Sequence, residues 1–245
     1  LVLFLALQRR VDQPLVELSL FRSRTLSIGL VSGFVTFVSI AGTIFLMPFY
    51  LENVLGYAPS QVGLLMAVTP ILLVVVAPLA GLIADRVGER PVTVVGLVVL
   101  LAGYLGLGTL QADTSALGYI LRFVPVGLGM AIFQTPNNSA IMGSVPGGRT
   151  GVAGGLLALT RALGQTSGIA VLGSIWAARV ASRAGAGNQA SFDATTAQPI
   201  LQVGGLHDMF TIIQIGVLLA LILCTWDLLG YRRSRSQVPA EDDGV

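Results

Sequence analysis

Six stretches of this chain are long and apolar enough to cross a bilayer, and no other feature limits its fold so tightly. They lie at 27–50, 61–84, 91–111, 117–143, 151–177 and 208–230. A membrane-crossing helix needs about 20 mostly apolar residues. Helices and closed barrels are the only spanning structures that satisfy their own backbone groups in hydrocarbon, so apolar runs of this length read as helices despite internal Gly and Pro. The expected fold is all-α, a polytopic transmembrane six-helix bundle. Composition agrees: 11% of residues are charged, against about a quarter in soluble domains. A single Cys excludes a disulfide scaffold,.

The 14 basic residues are all Arg, and the net charge of +2 gives no bulk nucleic-acid footprint,. Arg in short loops marks the cytoplasmic side. With the amino end inside, Arg9, Arg10, Arg22, Arg24, Arg86, Arg90, Arg149, Arg232, Arg233 and Arg235 are cytoplasmic, while Arg179 and Arg183 are outside. Tyr50, Tyr119 and Trp176 then fall near the outer surface and Trp226 and Tyr231 near the inner one, as interfacial aromatics should. A multi-pass protein of the cell membrane with both ends cytoplasmic follows.

The flanking segments complete the organisation. Residues 1–7, LVLFLAL, precede Gln8, Arg9 and Arg10. A signal peptide carries its charge before the apolar core, so 1–7 read as the end of a preceding transmembrane helix. Residues 8–26 form a cytoplasmic connector, either a short amphipathic surface helix or a plain linker. The six-helix domain runs over 27–230 with an outer loop at 178–207, and 231–245 is a solvated cytoplasmic tail.

Two spans resemble one another. Gly63-Leu-Leu and Gly81 in the second are spaced like Gly155-Leu-Leu and Gly173 in the fifth. Their opposite directions suit an inverted three-plus-three repeat; chance spacing in Gly-rich sequence is the alternative. Pro48, Pro70, Pro78, Pro125 and Pro136 can bend the spans that hold them. Gly29 with Gly33, Gly151 with Gly155 and Gly164 with Gly168 offer small-residue faces for close helix contact.

Polar residues inside spans are candidates for a substrate path. Arg161 should sit roughly 16 Å deep in a core about 30 Å thick, where a lipid-facing Arg costs at least about 2.5 kcal/mol. It should therefore face the bundle interior or a water-filled cavity, with Gln165 one turn away on the same face. Gln134, Asn137 and Asn138 add polar groups in the fourth span. A structural Arg bonded to helix carbonyls is the other reading of Arg161. No Asp or Glu falls near the middle of a span, and no metal cluster, phosphate loop or serine triad appears, so neither enzyme chemistry nor a bound cofactor is expected.

Between the second and third spans stands Gly81-Leu-Ile-Ala-Asp85-Arg86-Val-Gly88-Glu89-Arg90. This decapeptide resembles the loop signature of the major facilitator superfamily. Gly81, Asp85, Arg86, Gly88 and Arg90 match the pattern, and the resemblance implies that they latch helix ends during conformational switching; Glu89 departs from it, since a basic residue is common there. Leu121-Arg122-Phe-Val-Pro-Val-Gly127-Leu-Gly129 is similar to the family's fourth-helix pattern, with Val126 where Gln is common. About 8 Å below the outer surface, Arg122 either serves that motif or snorkels to water.

The order of features resembles the fourteen-span drug:proton antiporter branch, of which this chain matches the carboxyl-terminal half. The resemblance implies proton-coupled efflux of small amphipathic or cationic molecules by alternating access, with the proton as coupling ion, the bilayer as surroundings and a missing amino-terminal half as partner. A carrier of a nutrient or metabolite is the alternative within the superfamily. Outside it stands a non-transporting membrane subunit or membrane enzyme.

Overall fold

The computed structural model describes residues 18–185 and 192–236; residues 1–17 and the end of the tail lie outside it, as do the side chains of 18–19 and 232–236. Six helices have the length and apolar character to cross a membrane: α1 Arg24–Val54, α2 Pro59–Val87, α3 Glu89–Leu107, α4 Ala116–Gly143, α5 Gly147–Arg183 and α6 Pro199–Tyr231. Among the described residues there is no strand. The chain is a multi-pass membrane protein.

Helix ends follow local chemistry. Ser23 caps α1, its hydroxyl accepting from the Leu26 N–H, which satisfies one of the donors left open at a helix start. Pro59 begins α2, where its missing N–H costs nothing,. The helix then breaks at Ala67, three residues before Pro70, because the proline ring cannot bond the preceding turn and crowds its carbonyl. Gly88 alone joins α2 to α3, and its φ of +94° suits a residue without Cβ,. Wide turns interrupt α1 at Tyr50–Val54 and α5 at Gly168–Leu172.

The expected outer loop over 178–207 is shorter in the structure, because α5 continues to Arg183 and α6 already starts at Pro199. Buried contacts extend both helices: Trp176 and Val180 pack on α6, and Trp176 Nε1 donates to the Gln202 carbonyl at 3.2 Å. Between them Asp193 accepts from the Thr195 hydroxyl and N–H, which hold its carboxyl below the usual carboxylate range.

Packing partners reveal the repeat. Helix α4 packs against α3 and α2, while α1 packs against α6 and α5; α3 also meets α6, and α1 meets α4. Exchanging α1 with α4, α2 with α5 and α3 with α6 returns the same set of pairs, as an inverted three-plus-three arrangement requires. The matched glycines obey the exchange. Gly81 faces Thr135 of α4 and Gly173 faces Phe45 of α1, whereas Gly63 and Gly155 both border open space.

Close approach between α3 and α4 depends on glycine. A Cβ on Gly96 would stand 2.5 Å from the Phe133 nitrogen, one on Gly103 2.6 Å from the Val126 nitrogen, and one on Gly129 inside the Leu100 backbone. Gly29 and Gly33 similarly admit Ile141 and Asn137, and Gly164 and Gly168 admit the α1 backbone near Phe34 and Val38. Gly151 and Gly155 form no such contact: open space surrounds both, on the side of α5 turned away from its neighbours.

The buried hydroxyls of Ser32, Thr36, Ser39 and Thr43 run along α1. Each donates to a carbonyl one turn back, at 2.7–2.8 Å, so this polar stripe is satisfied within its own helix.

Candidate functional site: a cavity walled by four helices

Helices α1, α2, α4 and α5 line an open cavity of about 420 Å³. Phe37, Ile40 and Ile44 come from α1, Met66, Thr69, Pro70 and Leu73 from α2, Phe123, Met130 and Gln134 from α4, and Arg161 and Gln165 from α5. Helices α3 and α6 contribute none of these residues and stand behind the wall. Two of these walls are the least buried of the six helices, at 17% for α2 and 22% for α5 against 67% for α1. The cavity thus lies on the open side of the bundle, as pockets between bundle helices commonly do.

Three of the six expected path residues meet there: Gln134, Arg161 and Gln165. Arg161 has the Phe37 ring 5.3 Å from its guanidinium carbon and, among the described residues, no ion pair. Asn138 follows Gln134 by one turn and is half-buried. Asn137 is buried elsewhere, donating to the Gly29 carbonyl at 3.2 Å and so joining α4 to α1. Arg122 stands at the far end of α4, its Nε donating to the Thr109 hydroxyl and its Nη1 to the Gly118 carbonyl, both at 2.9 Å. This local use of Arg122 is that of a side chain held at a helix end.

The loop signature divides into two parts. Gly88 makes the turn, Gly81 lies against α4, and Arg90 points into the bundle end, where its Nε donates to Asp227 at 2.7 Å and its Nη2 to the Thr25 hydroxyl at 2.6 Å. Asp85 and Arg86 are exposed and, among the described residues, make no ion pair.

Asp227, which sequence reasoning did not single out as a site residue, is the centre of that bundle end. It also meets Arg24 at 3.4 Å, and Arg24 in turn donates to the Trp226 carbonyl and lies 3.5 Å over the Trp226 ring. Arg90 lies 4.0 Å over Tyr231. One buried carboxylate therefore fastens α6 to the first turns of α1 and α3. At the opposite end Arg183 pairs with Asp208 at 2.8 Å, and His207 Nε2 lies 2.6 Å from the Leu110 carbonyl, so that nitrogen carries the proton,.

Among known proteins, the Major Facilitator Superfamily pattern matches residues 5–169. The riboflavin transporter RibZ of Clostridioides difficile is 32% identical over 180 residues, covering 72% of this chain and 40% of that protein. The multidrug resistance protein Stp of Mycobacterium tuberculosis is 35% identical over 176 residues, or 72% of this chain and 33% of Stp. The tetracenomycin C resistance and export protein of Streptomyces glaucescens is 35% identical over 173 residues, with 71% and 32% covered. The chain thus spans about a third to two fifths of the length of these relatives. With that match over most of its length and a six-helix bundle of paired triplets, the chain belongs to the major facilitator superfamily.

Proposed function

We propose that this chain forms one half of a proton-coupled exporter of small amphipathic molecules, working by alternating access. The observation that carries the reading is the largely apolar cavity on the open side of α1, α2, α4 and α5, with Arg161, Gln134 and Gln165 on its wall. A companion half closing over that side completes a central site, and rocking of the halves exposes it to each membrane face in turn. Relatives named for multidrug resistance and for tetracenomycin C export favour efflux.

In this reading both ends of the chain are cytoplasmic and the protein sits in the cell membrane. Gly88 and Arg90 shape the loop from within, while exposed Asp85 and Arg86 engage the companion half. The proton carrier is a carboxylate of that half.

The test is efflux of the neutral amphipathic dye Nile red from energised cells expressing the complete native reading frame. Saturable efflux abolished by a protonophore is expected, with Asp85→Asn lowering the rate about tenfold at unchanged membrane abundance, near 1.4 kcal/mol of activation free energy. Protonophore-resistant efflux removes proton coupling, and an unaltered rate in Asp85→Asn removes the latch.

A further inference from the structure

Most buried side chains share one core, but the end of the bundle that the proposed function makes cytoplasmic has a small apolar cluster of its own. It gathers Leu26 and Leu30 of α1, Ile141 of α4, and Ala153 and Leu156 of α5, and Leu20 reaches it from outside the six helices. Leu20 belongs to the turn Leu18–Arg22 that precedes α1. It is 7% exposed, whereas Phe21 and Arg22 beside it are exposed. The Ser23 N–H donates to the Leu20 carbonyl at 3.0 Å and the Ser27 hydroxyl to the Phe21 carbonyl at 2.7 Å, so the turn is seated on the start of α1.

On each of three helices this cluster lies between the cavity and that end. Leu30 precedes Phe37 in α1, Ile141 follows Gln134 in α4 and Leu156 precedes Arg161 in α5, intervals of one to two helical turns. The cluster is thus the floor of the cavity on those helices. The start of α5 hangs on it: of Thr150–Ser167 only Ala153, Leu156 and Gly164 are buried, and Gly151, Gly154 and Gly155 border open space. Farther along, α5 is pinned to α1. A Cβ on Gly164 would stand 2.8 Å from the Phe37 Cβ, and one on Gly168 would meet the Val38 carbonyl oxygen, where the wide turn Gly168–Leu172 begins. Helices bend sharply at such turns, and a segment with few buried contacts opens locally at little cost.

Resting on the proposed function for which end is cytoplasmic, we propose that the turn Leu18–Arg22 is a clip that keeps the cavity closed toward the cytoplasm. Seated, Leu20 completes the cluster and holds residues 150–163 of α5 against α1 and α4. Withdrawn, it leaves Ala153 and Leu156 as the buried residues of that arm, and the arm swings away about the crossing at Gly164 and Gly168, opening the floor between α4 and α5. The open space beside Gly151, Gly154 and Gly155 gives it room when the companion half is rocked away. Arg161 rides on the arm, so its place on the cavity wall changes with the clip.

The test measures spin-label distances by pulsed electron paramagnetic resonance, in nanodiscs containing the complete native reading frame with its native cysteines, Cys224 included, replaced by Ala. Gly151→Cys with Val95→Cys reports the arm against α3, and Ala178→Cys with Leu105→Cys reports α5 beyond the pivot; all four positions are exposed. With the pivot at Gly164, Gly151 stands about 20 Å down the helix, and a bend of about 20° carries it roughly 7 Å. Leu20→Ser should therefore lengthen the first distance, or add a second population longer by that amount, and leave the second distance unchanged. Leu20→Met should keep both distances. An unaltered first distance in Leu20→Ser overturns the clip, and a change in both pairs overturns the pivot, since the whole helix or the whole fold has then moved. Neither result depends on efflux, so failure of the clip leaves the proposed function standing.

Discussion

Replacing Gly129 with Val prevents the six helices from assembling. The new side chain would enter the Leu100 backbone, and backbone, unlike the far end of a flexible side chain, cannot turn aside. Overpacking of a core ordinarily costs about 1–3 kcal/mol, and this site belongs at or above the top of that range, because α3 and α4 also touch at Gly96 and Gly103 with as little room. Shifting one contact strains the others. Gly155→Ala provides the comparison: nothing lies within 4 Å of that position, so the variant should be neutral or gain up to about 1 kcal/mol of helix propensity. Recovery of monodisperse protein in detergent and its thermal unfolding check the pair. Equal tolerance of both substitutions contradicts the close approach of α3 and α4.

Asp227→Ala has the second large effect. Its carboxylate is 11% exposed and faces two guanidiniums, Arg90 at 2.7 Å and Arg24 at 3.4 Å. Removing it leaves two like charges together without a counter-ion, and losing one partner of a buried pair costs about 3–5 kcal/mol. The lower end applies, because Arg24 is 41% exposed and can turn to water. For the same reason Arg24→Ala should cost no more than about 1 kcal/mol, the scale of an exposed pair. Arg90→Ala should fall between, since Arg90 also holds the Thr25 hydroxyl. Thermal unfolding of the three variants gives the order, and Arg24→Ala matching or exceeding Asp227→Ala would falsify the central place given to the carboxylate.

These two effects differ in how visible they were beforehand. The spans were legible because hydrocarbon demands long apolar helices, and Arg161 was legible because depth along a helix follows from counting residues. Glycine spacing suggested the repeat, and the exchange of packing partners now carries it. Asp227 gave no comparable signal. A carboxylate at a helix end reads as an ordinary boundary residue, and its partner Arg90 is 137 residues away in the chain. Arg122 and Asn137 lay in polar patterns typical of a path, but their nearest acceptors, Gly118 and Gly29 carbonyls, draw them away from the cavity. The outer loop was overestimated because small polar residues look unstructured until Trp176 and Val180 are seen buried against α6.

In the proposed transporter, water and substrate enter between α1, α2, α4 and α5, and α3 and α6 stand outside that path. Single cysteines in a Cys224→Ala background test it directly, in membranes containing the complete native reading frame. Gln134→Cys and Gln165→Cys should react with a membrane-impermeant maleimide, whereas Val98→Cys and Leu219→Cys should not, although both are exposed on the surfaces of α3 and α6. Reaction at 98 and 219 with silence at 134 and 165 would place the aqueous path on the other side of the bundle and contradict the account.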